Sequence, residues 1–293
     1  MRIPAFFDRL KKGSRWSWLS ERHRDRLPPD LDRTVMDLQS TDRLHAKQGR
    51  STCRVRFDSP AGPLSVYLKR HERLSWRARI AAWMRIRPEG RFTPAGEEWN
   101  HLRQAKSLGI SVPEPIAVGE QIGPWGQLSG YLMVAELIDC LPLHEAIPAR
   151  LQSLDPDRFE SWKRALIAEM AGIVARLHRA GAFHKDLYLC HFYLDMVQAD
   201  RPGDRLHLID LHRLAFHRWT APRWRRKDLG QLLFSTFGVP GIVDRDRLRF
   251  WFHYQRRMGR AFSRRQLDRV LRKSARYLAH NLGPSATPTG GDP

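Results

Sequence analysis

The chain has 293 residues, and its 51 lysines and arginines against 31 aspartates and glutamates give a formal net charge of +20. At about 150 residues per domain, this length suggests two domains or one domain with two lobes. A content of 42% hydrophobic and 28% charged residues excludes a disordered chain. Three cysteines, Cys53, Cys140 and Cys190, form no Cys-x-x-Cys pair, which excludes a disulfide scaffold and an ordinary zinc module. No uncharged stretch exceeds 15 residues, and Leu229–Val243, which reaches that length, is broken by Gly230, Gly238, Pro240 and Gly241. A spanning helix needs about 20 mainly apolar residues. The first residues lack the apolar run of a signal peptide, so a cytoplasmic chain is expected. The excess positive charge calls for nucleic acid, an anionic membrane surface or a phosphorylated substrate, or else is spread over solvated faces.

Residues 1–33 form a basic extension in which Phe6, Phe7, Trp16 and Trp18 alternate with arginine and lysine. That mixture suits a helix on an anionic bilayer, and equally a terminal helix docked on its own domain. Residues 34–138 read as a small, mostly β lobe. Cys53, Val55 and Phe57 share one face of a strand, Leu64–Leu68 forms the next with Lys69 at its end, and Gly130–Glu136 the last. One helix interrupts them, starting after Pro94 and stopping at Gly109. Residues 139–282 read as a helical lobe. Its longest helix, from Phe159 to Ala180, repeats apolar residues at three- and four-residue steps, and a hairpin spans residues 192–210. The tail, 283–293, is small, polar and expected to be disordered.

Four charged residues stand in a telling order: Lys69 on a strand, Glu98 on a helix, Asp186 in a His-x-Asp loop and Asp210 at a strand end. This is the parts list of kinase-type phosphoryl transfer, a reaction that needs positioning and charge neutralisation more than covalent help. Lys69 would reach the α/β-phosphates of ATP and Glu98 would hold it there. Asp186 would orient the acceptor hydroxyl. Asp210 would bind Mg²⁺. Where protein kinases place a second metal-binding Asn, five residues beyond the catalytic Asp, this chain has His191.

Three segments carry a resemblance: His184-Lys185-Asp186-Leu187-Tyr188-Leu189-Cys190-His191-Phe192, Ile209-Asp210-Leu211-His212-Arg213, and Arg223-Trp224-Arg225-Arg226-Lys227-Asp228-Leu229. They resemble the lipopolysaccharide core heptose kinase family over roughly residues 45–280. The resemblance implies an α+β, bilobal protein-kinase-like fold, with a small β-rich N-lobe and a larger helical C-lobe. It implies ATP as donor, Mg²⁺ as cofactor and a sugar hydroxyl of the lipopolysaccharide inner core, a heptose, as acceptor. On this reading Gly49 and Glu136 would join Lys69 and Glu98 at the nucleotide, His191 would join Asp210 at the metal, touch phosphate or pack the loop, and Arg223, Arg225, Arg226 and Lys227 would face the anionic acceptor or form a solvated loop. The chain departs from the family at Lys185, which stands for arginine, and before residue 52, where one glycine replaces a glycine-rich run.

Two other readings compete. One keeps the chemistry but changes the acceptor to 3-deoxy-manno-octulosonic acid, another small molecule or a protein. The other is an inactive kinase scaffold that binds anionic lipid or nucleic acid. The favoured reading expects a lipid A–core partner, peripheral contact with the inner face of the cytoplasmic membrane, and no nucleic acid.

Overall fold

The computed structural model describes residues 14–38, 43–47, 50–71, 93–122, 128–201, 203 and 205–282. The chain divides into two compact units, Met1–Ser107 with Val112–Leu137 and Leu108–Ser111 with Ile138–Pro293. Gly49, residues 1–13 of the expected extension and the tail 283–293 lie outside the described residues.

The first unit is built on β1 (Ser14–Leu19), α1 (Leu31–Asp37), β2 (Arg43–Lys47), β3 (Arg50–Phe57), β4 (Leu64–His71), α2 (Pro94–Ser107), β5 (Pro115–Ile122) and β6 (Leu128–Ala135). The strands form one antiparallel sheet in the order β1-β5-β6-β4-β3-β2. Alternation along β3 and β4 buries Cys53, Val55, Leu64, Val66 and Leu68 in a core completed by Ile116 and Met133. Two differences from the expected elements stand out. Ser14–Leu19 is a strand and not part of a helix, because Trp16 and Trp18 share a face and both pack on Trp99 of α2, at 5.3 and 5.4 Å. Residues 34–37 are the end of a short helix and not strand, with Leu31 and Val35 buried one turn apart.

The second unit contains β7 (Cys140–Pro142), α3 (Leu143–Ser153), α4 (Pro156–Arg179), β8 (Ala182–Phe183), β9 (Phe192–Asp195), β10 (Leu206–Leu208), β11 (Ala215–Phe216), α5 (Ala221–Phe234), α6 (Asp244–Met258) and α7 (Arg264–Leu282). In α4, Asp155 caps the start by accepting the Arg158 amide at 3.0 Å, and Pro156 follows at the first turn. The apolar face of α4 buries Phe159, Trp162, Leu166, Met170, Ile173, Val174 and Leu177. Gly181, at φ +72°, ends it in the left-handed region that a Cβ disfavours. The expected hairpin is present, with β9 and β10 antiparallel and Leu194 facing Leu206. The arginine-rich run after Thr220 is helix, and α5 and α7 lie side by side in parallel. Gly230 meets Lys273 and Phe234 meets Tyr277, pairs with the same offset of 43 residues. A Cβ on Gly230 would sit 2.9 Å from Cγ of Lys273, so glycine there permits the close approach.

Candidate active site

In the first unit, Nζ of Lys69 lies 2.6 Å from Oε1 of Glu98, whose side chain is buried. Strand β4 delivers the lysine. Helix α2 delivers the glutamate, and its position is set at both ends of the first two turns. Oε1 of Glu120 accepts bonds from the amide and hydroxyl of Thr93, at 2.7 and 2.6 Å, just before the helix. Gly96 packs directly on that Glu120 side chain, and Trp99 is clasped by the two tryptophans of β1. Glu136 ion-pairs with Arg54 at 2.8 Å, and its amide donates to the Ser65 carbonyl.

In the second unit, the loop between β8 and β9 carries His184, Lys185, Asp186 and His191. Its backbone is pinned by the fully buried Asp228 of α5, whose Oδ2 accepts the amide of His184 and Oδ1 the amide of Lys185, both at 2.8 Å. Charge-assisted bonds of this kind are strong for hydrogen bonds. They hold Lys185 at φ +67°, a left-handed conformation that a non-glycine residue adopts at a cost. The Lys185 ammonium rests over the Trp224 ring at 4.6 Å.

The Asp186 carboxylate points at two cations. Nη1 of Arg213 lies 2.8 Å from Oδ2, and Nζ of Lys227 lies 3.6 Å from Oδ1. Lys227 also donates to the Lys185 carbonyl, so it braces the loop from α5 as well as bordering the surface beyond it. Burial pushes the Lys227 ammonium below the ordinary lysine range, and the neighbouring Asp186 opposes that. Gln231 donates to the Tyr188 hydroxyl at 2.8 Å, and the Leu189 amide donates to the Ser235 hydroxyl at 2.8 Å.

Asp210 follows β10 at φ +60°. Its Oδ1 is 2.6 Å from Nδ1 of His212, and its Oδ2 is 3.8 Å from Nε2 of His191. Nδ1 of His191 bonds the Asp186 carbonyl at 2.7 Å. A neutral ring that donates there turns the Nε2 lone pair toward Asp210, setting two electron-pair donors side by side. His184, fully buried, bonds the Ile209 carbonyl through Nε2 at 3.0 Å, and burial lowers its basicity. It is therefore a neutral brace between the two loops. Cys190, two residues before β9, is no activated nucleophile, because burial pushes its thiol up.

Among the described residues, no group of three or more His, Cys, Asp or Glu side chains is arranged to hold a metal. A single hard carboxylate with a neighbouring lone pair matches an ion that takes most ligands from water and phosphate, as Mg²⁺ does. The cationic run expected at the acceptor splits. Arg223 and Arg226 share one face of α5 with Lys227, whereas Arg225 is half-buried on the opposite face over the Phe262 ring, 5.5 Å away, and burial lowers its basicity. Arg213 and His212 were not assigned roles from the sequence. Their signal is their place in the Ile209–Arg213 segment that carries the resemblance.

An antiparallel-sheet unit with a lysine–glutamate pair and a helical unit with a braced His-x-Asp loop define an α+β, protein-kinase-like phosphotransferase fold. The chain belongs to the lipopolysaccharide kinase (Kdo/WaaP) family, which matches residues 68–254. It is similar to "Lipopolysaccharide core heptose(I) kinase WaaP" of Pseudomonas aeruginosa, with 31% identity over 79% of this chain and 80% of the relative. The protein of the same description from Escherichia coli K12 is 29% identical over 64% of this chain and 68% of its own. A solved structure described as "WaaP in complex with acyl carrier protein" superposes with a TM-score of 0.66 and 29% identity, covering 90% of this chain and all of that one.

Proposed function

We propose that the chain transfers the γ-phosphoryl group of ATP to a heptose hydroxyl of the lipopolysaccharide core. The observation that carries this reading is the setting of Asp186. Its carboxylate is held by Arg213 and Lys227, and its loop is clamped by Asp228 through two backbone amides. A carboxylate fixed in this way can accept a hydrogen bond from an acceptor hydroxyl and aim it in line with the departing phosphoryl group. Lys69, tethered by Glu98, neutralises the α/β-phosphates. Asp210 and His191 would hold Mg²⁺, which supplies charge neutralisation across the phosphates when bound. Arg223 and Arg226 would meet the anionic acceptor. Trp219, 95% exposed two residues before α5, suits a headgroup layer, which supports a reaction at a membrane surface.

The test uses purified protein, labelled ATP, Mg²⁺ and core oligosaccharide stripped of heptose phosphate. Label on a heptose hydroxyl, lost on Asp186→Ala, is expected. Label on 3-deoxy-manno-octulosonic acid instead would replace the acceptor, and no label on any core sugar would sink the reading.

A partner reading rests on a separate observation. Helices α3 to α7 enclose an apolar cavity of about 170 Å³ lined by Ile147, Leu166, Met170, Leu232, Trp251 and Val270. At this size the cavity takes a benzene-sized group, so it fits a short apolar stretch of an acyl chain. With a WaaP structure solved in complex with acyl carrier protein, we infer that this chain binds an acylated carrier protein too. Copurification of an acyl carrier protein whose bound chain is detected by mass spectrometry is expected; recovery of the purified chain with none would reject it.

A further inference from the structure

The parallel pair α5 and α7 leaves a concave surface of about 430 Å³ in the second unit. Its lining is Arg213, Arg223, Trp224, Arg226, Lys227 and, from α7, Arg269, Arg272, Lys273 and Arg276, with no acidic residue. The four α7 cations recur at steps of three and four, so they form one stripe, about 10 Å long at 1.5 Å per residue. Arg213 and Lys227 have their carboxylate in Asp186. Among the described residues, Arg223, Arg226, Arg269, Arg272 and Arg276 make no salt bridge or side-chain hydrogen bond. Gly230 brings the stripe of α7 against the cationic face of α5 and concentrates the charge. Like charges gathered in a concavity repel one another and focus a positive potential that an anion relieves. Guanidinium forks match phosphate oxygens in pairs.

We propose that this groove binds phosphate groups of the glycolipid acceptor that lie away from the hydroxyl receiving phosphate, and that the α7 stripe selects acceptors bearing them. The inference rests on the kinase reading above. Two features favour this ligand. The groove is continuous with the catalytic loop, because Arg213 and Lys227 line it and also touch Asp186. A stripe about 10 Å long matches a ligand with several spaced anionic groups better than a single phosphate. Lipid A–core presents such groups on one rigid oligosaccharide.

Binding is measured by calorimetry with fully deacylated lipid A–core oligosaccharide, either intact or with its phosphates removed by hydrogen fluoride. Three proteins are compared: the full chain, the triple variant Arg269→Gln, Arg272→Gln and Arg276→Gln, and a control Arg256→Gln, Arg257→Gln on α6. All five positions are exposed, so folding should be kept, and circular dichroism checks it. The full chain and the control are expected to prefer the intact oligosaccharide by at least tenfold, and the triple variant by about onefold. A triple variant that keeps the preference overturns the proposal. So does one that keeps it while losing affinity for phosphatidylglycerol vesicles or for acyl carrier protein, since the stripe would then serve lipid or protein. Turnover is recorded on the same samples with labelled ATP. Preference without phosphoryl transfer rejects the kinase reading and leaves the groove standing, and transfer without preference does the reverse.

Discussion

Arg213 spans both oxygens of Asp186, with its Nη1 2.8 Å from Oδ2 and 3.1 Å from Oδ1. The arginine comes from the turn after Asp210, so the residue proposed to aim the acceptor and the residue expected at the metal belong to one mechanical unit. His191 completes it by bonding the Asp186 carbonyl and facing Asp210.

Asp186→Ala and Asp210→Ala should each lower kcat by a factor on the order of 10³ or more with the melting temperature retained. Arg213→Ala, at a half-exposed side chain, should cost about tenfold in kcat, because Asp186 keeps its charge but loses its fixed orientation. Single-turnover transfer to core oligosaccharide measures both. An Arg213→Ala variant as inactive as Asp186→Ala would assign the arginine a direct chemical part.

Removing Asp228 should act through the backbone. Asp228→Ala leaves the buried amide of His184 and the half-buried amide of Lys185 without acceptors and deprives His178 of its carboxylate neighbour at 3.3 Å. The expected loss is roughly 3 to 5 kcal/mol of stability in urea unfolding, together with loss of turnover.

Lys69→Ala should reduce kcat/KM for ATP by about 10²-fold, and Glu98→Ala by less, since the lysine survives without its tether. Because the two side chains are in direct contact at 2.6 Å, the double variant should be no worse than Lys69→Ala alone. Additive losses would mean that each acts on a different group.

His178 gives the protein an acid-sensitive core. Its ring is enclosed, with Nδ1 at 2.7 Å from the Tyr254 hydroxyl and Nε2 facing Asp228, and burial is the main cause of its lowered basicity. Arg225 nearby pushes in the same direction, and Asp228 opposes both. The folded ring resists protonation, so the unfolded chain takes up more protons as the pH falls below about 6.5. Stability contributed by the neutral ring is present above that pH and is lost on acidification. Melting temperatures from pH 7.5 to 5 should fall, and the fall should be shallower in His178→Gln. Parallel curves for the two proteins would place the acid sensitivity elsewhere.

The elements legible in the sequence were those whose signal is local. Alternation marked β3 and β4, the three-and-four repeat marked α4, and Gly109 and Gly181 marked helix ends, both at positive φ in the structure. Lys69, Glu98, Asp186 and Asp210 were legible through their order along the chain and the motifs around them. What was hidden depends on distant partners. Strand β1 pairs with β5 about 100 residues away, so its basic and aromatic residues read as a helix until Trp99 and β5 supply the other half of its surroundings. Arg225 is separated from its neighbours by helical phase, a distinction that a run of arginines conceals until the helix is known. The α7 cations read along the chain only as solvated charge, and what sets them against the cationic face of α5 is Gly230 and the packing of two helices.

Strand β1 has a consequence for how this chain can be cut. It pairs along its whole length, from Ser14 opposite Ile122 to Leu19 opposite Ala117, and shields one border of the sheet. A version beginning after residue 19 would leave β5 with a row of unsatisfied amides and carbonyls, open to pairing with another molecule. It would also take away the two tryptophans that seat Trp99, the neighbour of Glu98. Shortened versions meant for crystallisation should therefore start ahead of Ser14. Those that do not should aggregate, and the species that stay in solution should bind nucleotide poorly.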